Sequence, residues 1–122
     1  MSEPEALNLS IVRGDTKTYS VTALDANGAA VDLAGASIWF TVKENYYDAD
    51  LSAKIQKTVG SGITITAPAS GLFTIELAAA DTKDLTPAVL VYDIQIKLAA
   101  GNVITPVKGT YTILADVTRS DT

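Results

Sequence analysis

Along most of this chain apolar residues recur at every second position, in short runs broken by Gly, Asn, Asp and Pro. A side-chain period of two belongs to a strand with one buried face, and no long stretch carries the helical period instead. The clearest case is Ser37 to Lys43, SIWFTVK, where Ile38, Phe40 and Val42 share one face and Trp39 is sent to the other. Leu72 to Leu77 repeats the pattern through Phe73, Ile75 and Leu77. Val89 to Leu98 carries Tyr92, Ile94, Ile96 and Leu98 inward and Asp93, Gln95 and Lys97 outward. An all-β fold follows.

The remaining elements fit between these. Leu7 to Val12 reads as a first strand, and Arg13-Gly14-Asp15 turns it into a second over Lys17 to Leu24. Asp25-Ala26-Asn27-Gly28 is a turn, since Asn and Gly accept the positive φ of a tight hairpin. Val31 and Leu33 are expected to form a short edge segment. Further strands are expected at Ala53 to Thr58 and Ile63 to Thr66. Ala78 to Leu85 favours a helix of about two turns, ended by Thr86-Pro87. Pro106 and Gly109 divide the last stretch into Val103 to Val107, expected at an edge, and Thr110 to Ala115. About eight or nine short strands with one helical turn predict a β-sandwich of immunoglobulin type. Tyr92 is then placed as the corner tyrosine that bonds back upstream. One domain is expected over residues 7–118, between a flexible arm at 1–6 and a tail at 119–122.

Composition narrows the chemistry. Neither histidine nor cysteine occurs among the 122 residues, which removes the common general bases, the usual triads, disulfides and most transition-metal sites. No enzyme activity, cofactor or metal is expected. The net charge of −5, with nine basic residues scattered singly, disfavours nucleic acid. No apolar run approaches a membrane span, and the N-terminus MSEPEALNLS lacks the basic and apolar regions of a secretory signal. No membrane partner is expected, and synthesis in the cytoplasm is.

Among candidate sites, Tyr46-Tyr47-Asp48-Ala49-Asp50 stands out, together with Trp39. Tyrosine and tryptophan anchor protein interfaces, so Trp39, Tyr46, Tyr47, Asp48 and Asp50 form a candidate partner-binding set. The same rings can stack on a sugar, the two carboxylates can take calcium, or the loop can simply lie over the core edge. Arg13-Gly14-Asp15 spells an integrin-type tripeptide where the chain must turn, and is read as a turn. Asp81 and Asp84 have the pairing that glycosidases use, but no cleft-forming insertions accompany them, and Asp81 is read as a helix cap. Exposed Thr, Ser and Ala suit packing against neighbours as well as ordinary sheet usage, and an unpaired edge strand can accept another.

Several segments fall in a recognisable order: RGDTKTYSVTALDANGAAVDLAGASIWFTVK, AKIQKT, GITITAPASGLFTIEL, AADTKDL, VYDIQIKLAAGNVITPVKGTYTI and a closing ADVT. This order resembles the Ig-like domain at the N-terminus of phage baseplate upper proteins and in other tailed-phage structural proteins. The resemblance covers roughly Leu7 to Thr118. It implies a non-enzymatic connector of the virion, without catalytic residues. A small accessory without the longer receptor-binding region is the expectation: a capsid decoration protein or a tail, baseplate or neck adaptor. Its partners are then other virion proteins, and it is expected to be a homo-oligomer in the particle. The rival expectation is a carbohydrate-binding module using Trp39, Tyr46 and Tyr47.

Overall fold

The computed structural model describes residues 5–6, 8–25, 27–45 and 53–115. Its strands are β1 (Glu5–Ala6), β2 (Leu9–Val12), β3 (Lys17–Thr22), β4 (Ser37–Lys43), β5 (Ile55–Val59), β6 (Gly62–Ala67), β7 (Leu72–Leu77), β8 (Ala88–Lys97) and β9 (Val103–Leu114). A 3-10 turn at Pro68–Ser70 joins β6 to β7, and a single helical turn, α1 (Ala79–Thr82), lies between β7 and β8. The all-β class is as the alternation predicts.

Hydrogen-bonded neighbours run in the order β1-β9-β8-β4-β5-β6-β7-β3, with β2 also on β9. The order bends back on itself at Gly60–Ser61. There Ser61 N donates to Thr58 O and Gly60 N to Ile63 O, so β6 leaves β5 after pairing at only Thr58↔Gly62 and Val59↔Ile63. The bend lays β6, β7 and β3 over the layer built from β5, β4, β8, β9 and the two N-terminal strands. Tyr19 of β3 and Tyr111 of β9 make this explicit, because their strands are far apart in the order yet their hydroxyls lie 2.8 Å apart. The result is a β-sandwich.

Both layers turn their alternate residues into one core. Ile38, Phe40 and Val42 meet Leu90, Tyr92, Ile94 and Ile96 from one layer, and Ile63, Phe73, Ile75 and Leu77 from the other. Phe40, Tyr92 and Tyr111 form a triangle of rings with centroids 5.6, 5.9 and 6.0 Å apart. Each large side chain fully buried here contributes about 1.5–3 kcal/mol of transfer free energy. Burial raises the Tyr19 and Tyr111 hydroxyls above the usual tyrosine range; their mutual hydrogen bond raises Tyr111 further and lowers Tyr19.

Three expectations are corrected. Val31 and Leu33 form no strand: the segment makes an isolated bridge, Leu24↔Ala30, and Leu33 N donates to Pro68 O while its side chain fills the core. The helix is one turn and not two. Asp81 Oδ2 accepts from Ala78 N at 2.7 Å and so caps the turn from its third position, and the chain leaves the helix after Thr82. Gly109 does not break the last strand; β9 runs through it, with Gly109 opposite buried Tyr92. Pro106 stands where the sequence puts it, on a stretch of β9 that pairs with β8 alone among the described residues, since β1 meets β9 only at Val107 and Lys108. The proline falls where the β8–β9 register shifts between Ile94 and Ile96, and just before β1 begins to pair at Val107, so its missing N–H deprives no ladder bond.

Candidate functional site

Period-two alternation that buries Ile38, Phe40 and Val42 must present Trp39, Thr41 and Lys43 on the outer face of β4, and β4 has no bulge to disturb it. The neighbouring strands complete this face. Trp39 lies between Thr58 of β5 and Gln95 of β8, Thr41 between Gln56 and Asp93, and Lys43 beside Val91. A shallow depression of about 430 Å³ lies on this face, lined by Trp39, Thr41, Lys43, Gln56, Val91, Tyr92, Asp93 and Gln95. Trp39 is half-buried, its ring flanked by strands on both sides. Gln56 Nε2 donates to Thr41 Oγ1 at 3.2 Å, which orients the amide along the floor.

This face offers an indole, two amides, a hydroxyl, a carboxylate and an ammonium. The set combines an apolar ring with polar groups beside it, of which the Thr41 hydroxyl is buried and already accepts from Gln56, and Lys43 and Asp93 have partners within the chain. Among the described residues no three His, Cys, Asp or Glu side chains gather to hold a metal ion. Among them also, no helix is long and apolar enough to cross a membrane.

Of the sequence-predicted set, the structure positions Trp39. Tyr46, Tyr47, Asp48 and Asp50 lie outside the described residues. Thr41, Gln56, Asp93 and Gln95 are the members that sequence reasoning did not collect. Their outward direction follows from alternation, but the adjacency of β4 to both β5 and β8 has no local signal.

The other motifs serve the fold. Arg13 Nη1 donates to Leu85 O at 3.0 Å, and Gly14 N donates to Thr82 Oγ1 at 2.9 Å. The Arg-Gly-Asp turn is thereby docked onto α1, with its guanidinium occupied. Asp81 Oδ2 also meets Lys57 Nζ at 2.8 Å, which ties α1 to β5. Exposed apolar residues include Val89, 65 % exposed, with Val12 and Leu114, which pair on the same outer layer. The chain matches no protein-family model, and no curated protein is significantly similar to it.

Proposed function

We propose that this chain is a non-enzymatic structural protein of a bacteriophage particle, an immunoglobulin-like sandwich that decorates the capsid or serves as a tail, baseplate or neck adaptor. It acts through protein–protein contacts and is present in many copies. The observation that carries the reading is the outer face of β5, β4 and β8. There a half-buried Trp39 lies in a shallow depression among Thr, Gln and charged side chains, a shape that accepts a broad partner surface and does not enclose a substrate. The strand order supports the fold assignment. Reading β3, β4, β5, β6, β7, β8 and β9 as B, C, C′, D, E, F and G reproduces the B-E-D and C′-C-F-G layers of an Ig domain. The ordered sequence cues, from Gly14-Asp15-Thr16 through Tyr92-Asp93-Ile94, support the phage setting.

The same face favours one other reading, a carbohydrate-binding module. Trp39 bordered by Gln56, Gln95 and Asp93 combines a stacking ring with hydrogen-bonding groups. Cryo-electron microscopy of purified particles, with the chain located by labelling, separates the two. Density on the capsid lattice assigns decoration; density at the tail or neck assigns an adaptor. A chain found in no part of the particle overturns the virion reading, and a glycan array on which Trp39→Ala abolishes binding then establishes the module.

A further inference from the structure

We propose that the free edge of β3 is a strand acceptor. It takes an extended segment from a neighbouring protein subunit, antiparallel to β3, with apolar residues at alternate positions and an acidic residue at the end that meets Lys17. The partner's being a neighbouring subunit rests on the assembly role above; the edge itself rests on the fold.

Among the described residues β3 pairs only with β7, from Lys17↔Leu77 to Thr22↔Leu72. In an antiparallel ladder, residues that exchange bonds with the partner alternate with residues whose groups point away. Ala23 N donates to Gly71 O at 2.8 Å, so the odd-numbered positions turn toward β7. Thr18, Ser20 and Thr22 therefore turn N–H and C=O outward, and all three are exposed. The edge is blunted only at its start: β3 has no proline, its register with β7 has no bulge, and its one lysine, Lys17, stands at the end and leaves Thr18 to Thr22 uncharged. The window is bounded. The Leu24↔Ala30 bridge closes it after Thr22, and the turn anchored through Arg13 and Gly14 closes it before Lys17.

An apolar slot of about 190 Å³ runs beneath this edge, lined by Leu9, Tyr19, Val21, Phe40, Ile94 and Val107. It exists because the layer ending in β3 is shorter than the layer it covers, so the inner face beside β9 and β2 lacks one strand of cover. A strand added to β3 directs every second side chain into that slot, and directs the alternate ones outward beside Thr18, Ser20 and Thr22. Lys17, whose ammonium lies 5.7 Å from the centre of the Tyr19 ring, is the single charge of β3, so an acidic residue opposite it complements it while a basic one is repelled, and in an antiparallel partner that residue falls at the C-terminal end.

The test uses the full chain and a short synthetic peptide that alternates valine and threonine and ends in glutamate. Amide exchange and backbone NMR shifts are followed at Thr18, Ser20 and Thr22. At about ten times the Kd, these amides exchange roughly tenfold more slowly than in the free chain. Ser20→Pro removes only an outward N–H, so it is expected to abolish this protection with the β3–β7 ladder retained. Lys17→Glu independently reverses the preference, favouring a peptide that ends in lysine. The proposal is overturned if neither peptide slows these amides, or if the shifts map to the Trp39 face. It is equally overturned if the edge is already protected in the free chain to a degree that rises with protein concentration, since a second copy is then the occupant. Peptide capture by a chain absent from particles strikes the virion reading and leaves the edge; the converse result strikes the edge alone.

Discussion

Gly71→Ala is expected to be among the most damaging single changes available in a loop of this protein. Gly71 follows the 3-10 turn with φ 69° and ψ 21°, the left-handed region, which costs a residue with a Cβ about 1–2 kcal/mol. At this position there is also no space. An added Cβ lies 2.5 Å from Ala23 O, 3.0 Å from Val31 O and 3.3 Å from Val31 N, all of them backbone atoms that no rotamer change can move aside. Those atoms belong to one knot of hydrogen bonds: Ala23 N to Gly71 O, Val31 N to Ala23 O, Gly71 N to Pro68 O and Leu33 N to Pro68 O. Relieving the clash breaks at least one of them and leaves buried groups unsatisfied, at about 1–3 kcal/mol each. The sum is about 2–5 kcal/mol, a large part of the stability of a domain this size. Gly28→Ala is the control, because Gly28 has φ 80° but nothing within 4 Å of an added Cβ, so it is charged for the backbone conformation alone. Denaturant unfolding of both variants isolates the steric part. Equal losses for the two would refute the packing of the Ala23–Val31–Gly71 knot described here.

Three further outcomes are expected. Thr82 is fully buried and its Oγ1 accepts the Gly14 N–H at 2.9 Å, so Thr82→Val keeps the shape, leaves that donor unpaired and lowers stability by about 1–3 kcal/mol in thermal unfolding; no measurable loss would detach the Arg-Gly-Asp turn from α1. Because burial, and for Tyr111 also the bond to Tyr19, holds these hydroxyls protonated in the fold above the usual tyrosine range, their contribution is intact below about pH 10 and lost as pH rises beyond it, where the unfolded chain ionises first. Tyr111→Phe flattens that alkaline slope in denaturation midpoints, and an unchanged slope contradicts the coupling. Asp81→Ala removes both the Ala78 N cap and the Lys57 contact, with an expected cost of about 1–2 kcal/mol and faster amide exchange across Ala79–Thr82 if the cap acts as described.

Much of the fold was legible because one face of most strands is buried and the other is not. β4 and β7 have the bounds that alternation alone suggests, Ser37–Lys43 and Leu72–Leu77. What was illegible is non-local. Nothing in Leu9–Val12 announces a parallel partner at Tyr111–Leu114, a pairing made between opposite ends of the chain. Gly109 and Pro106 are local breakers in isolation, yet β9 runs through both, with Tyr92 and a register shift opposite. Leu33 is a core residue without a strand because its N–H goes to Pro68 O of the 3-10 turn and its carbonyl accepts from Ala36 N in a local turn. At the candidate site, Trp39's outward direction came from its period, whereas Gln56 and Asp93 joined it through strand order. The β3 edge, unpaired on its outer side among the described residues, needed the whole topology, since an edge is defined by strand order.

The parallel β2–β9 ladder has a mechanical meaning. β2 runs from Leu9 to Val12 alongside Tyr111 to Leu114 in the same direction. Tension drawn backward through the start of β2 and forward through the end of β9 therefore acts along the strands and across every rung together. An antiparallel pair pulled from its open end yields rung by rung; this one must slip as a unit. Stretching along β2 and β9 is therefore resisted by all four rungs at once.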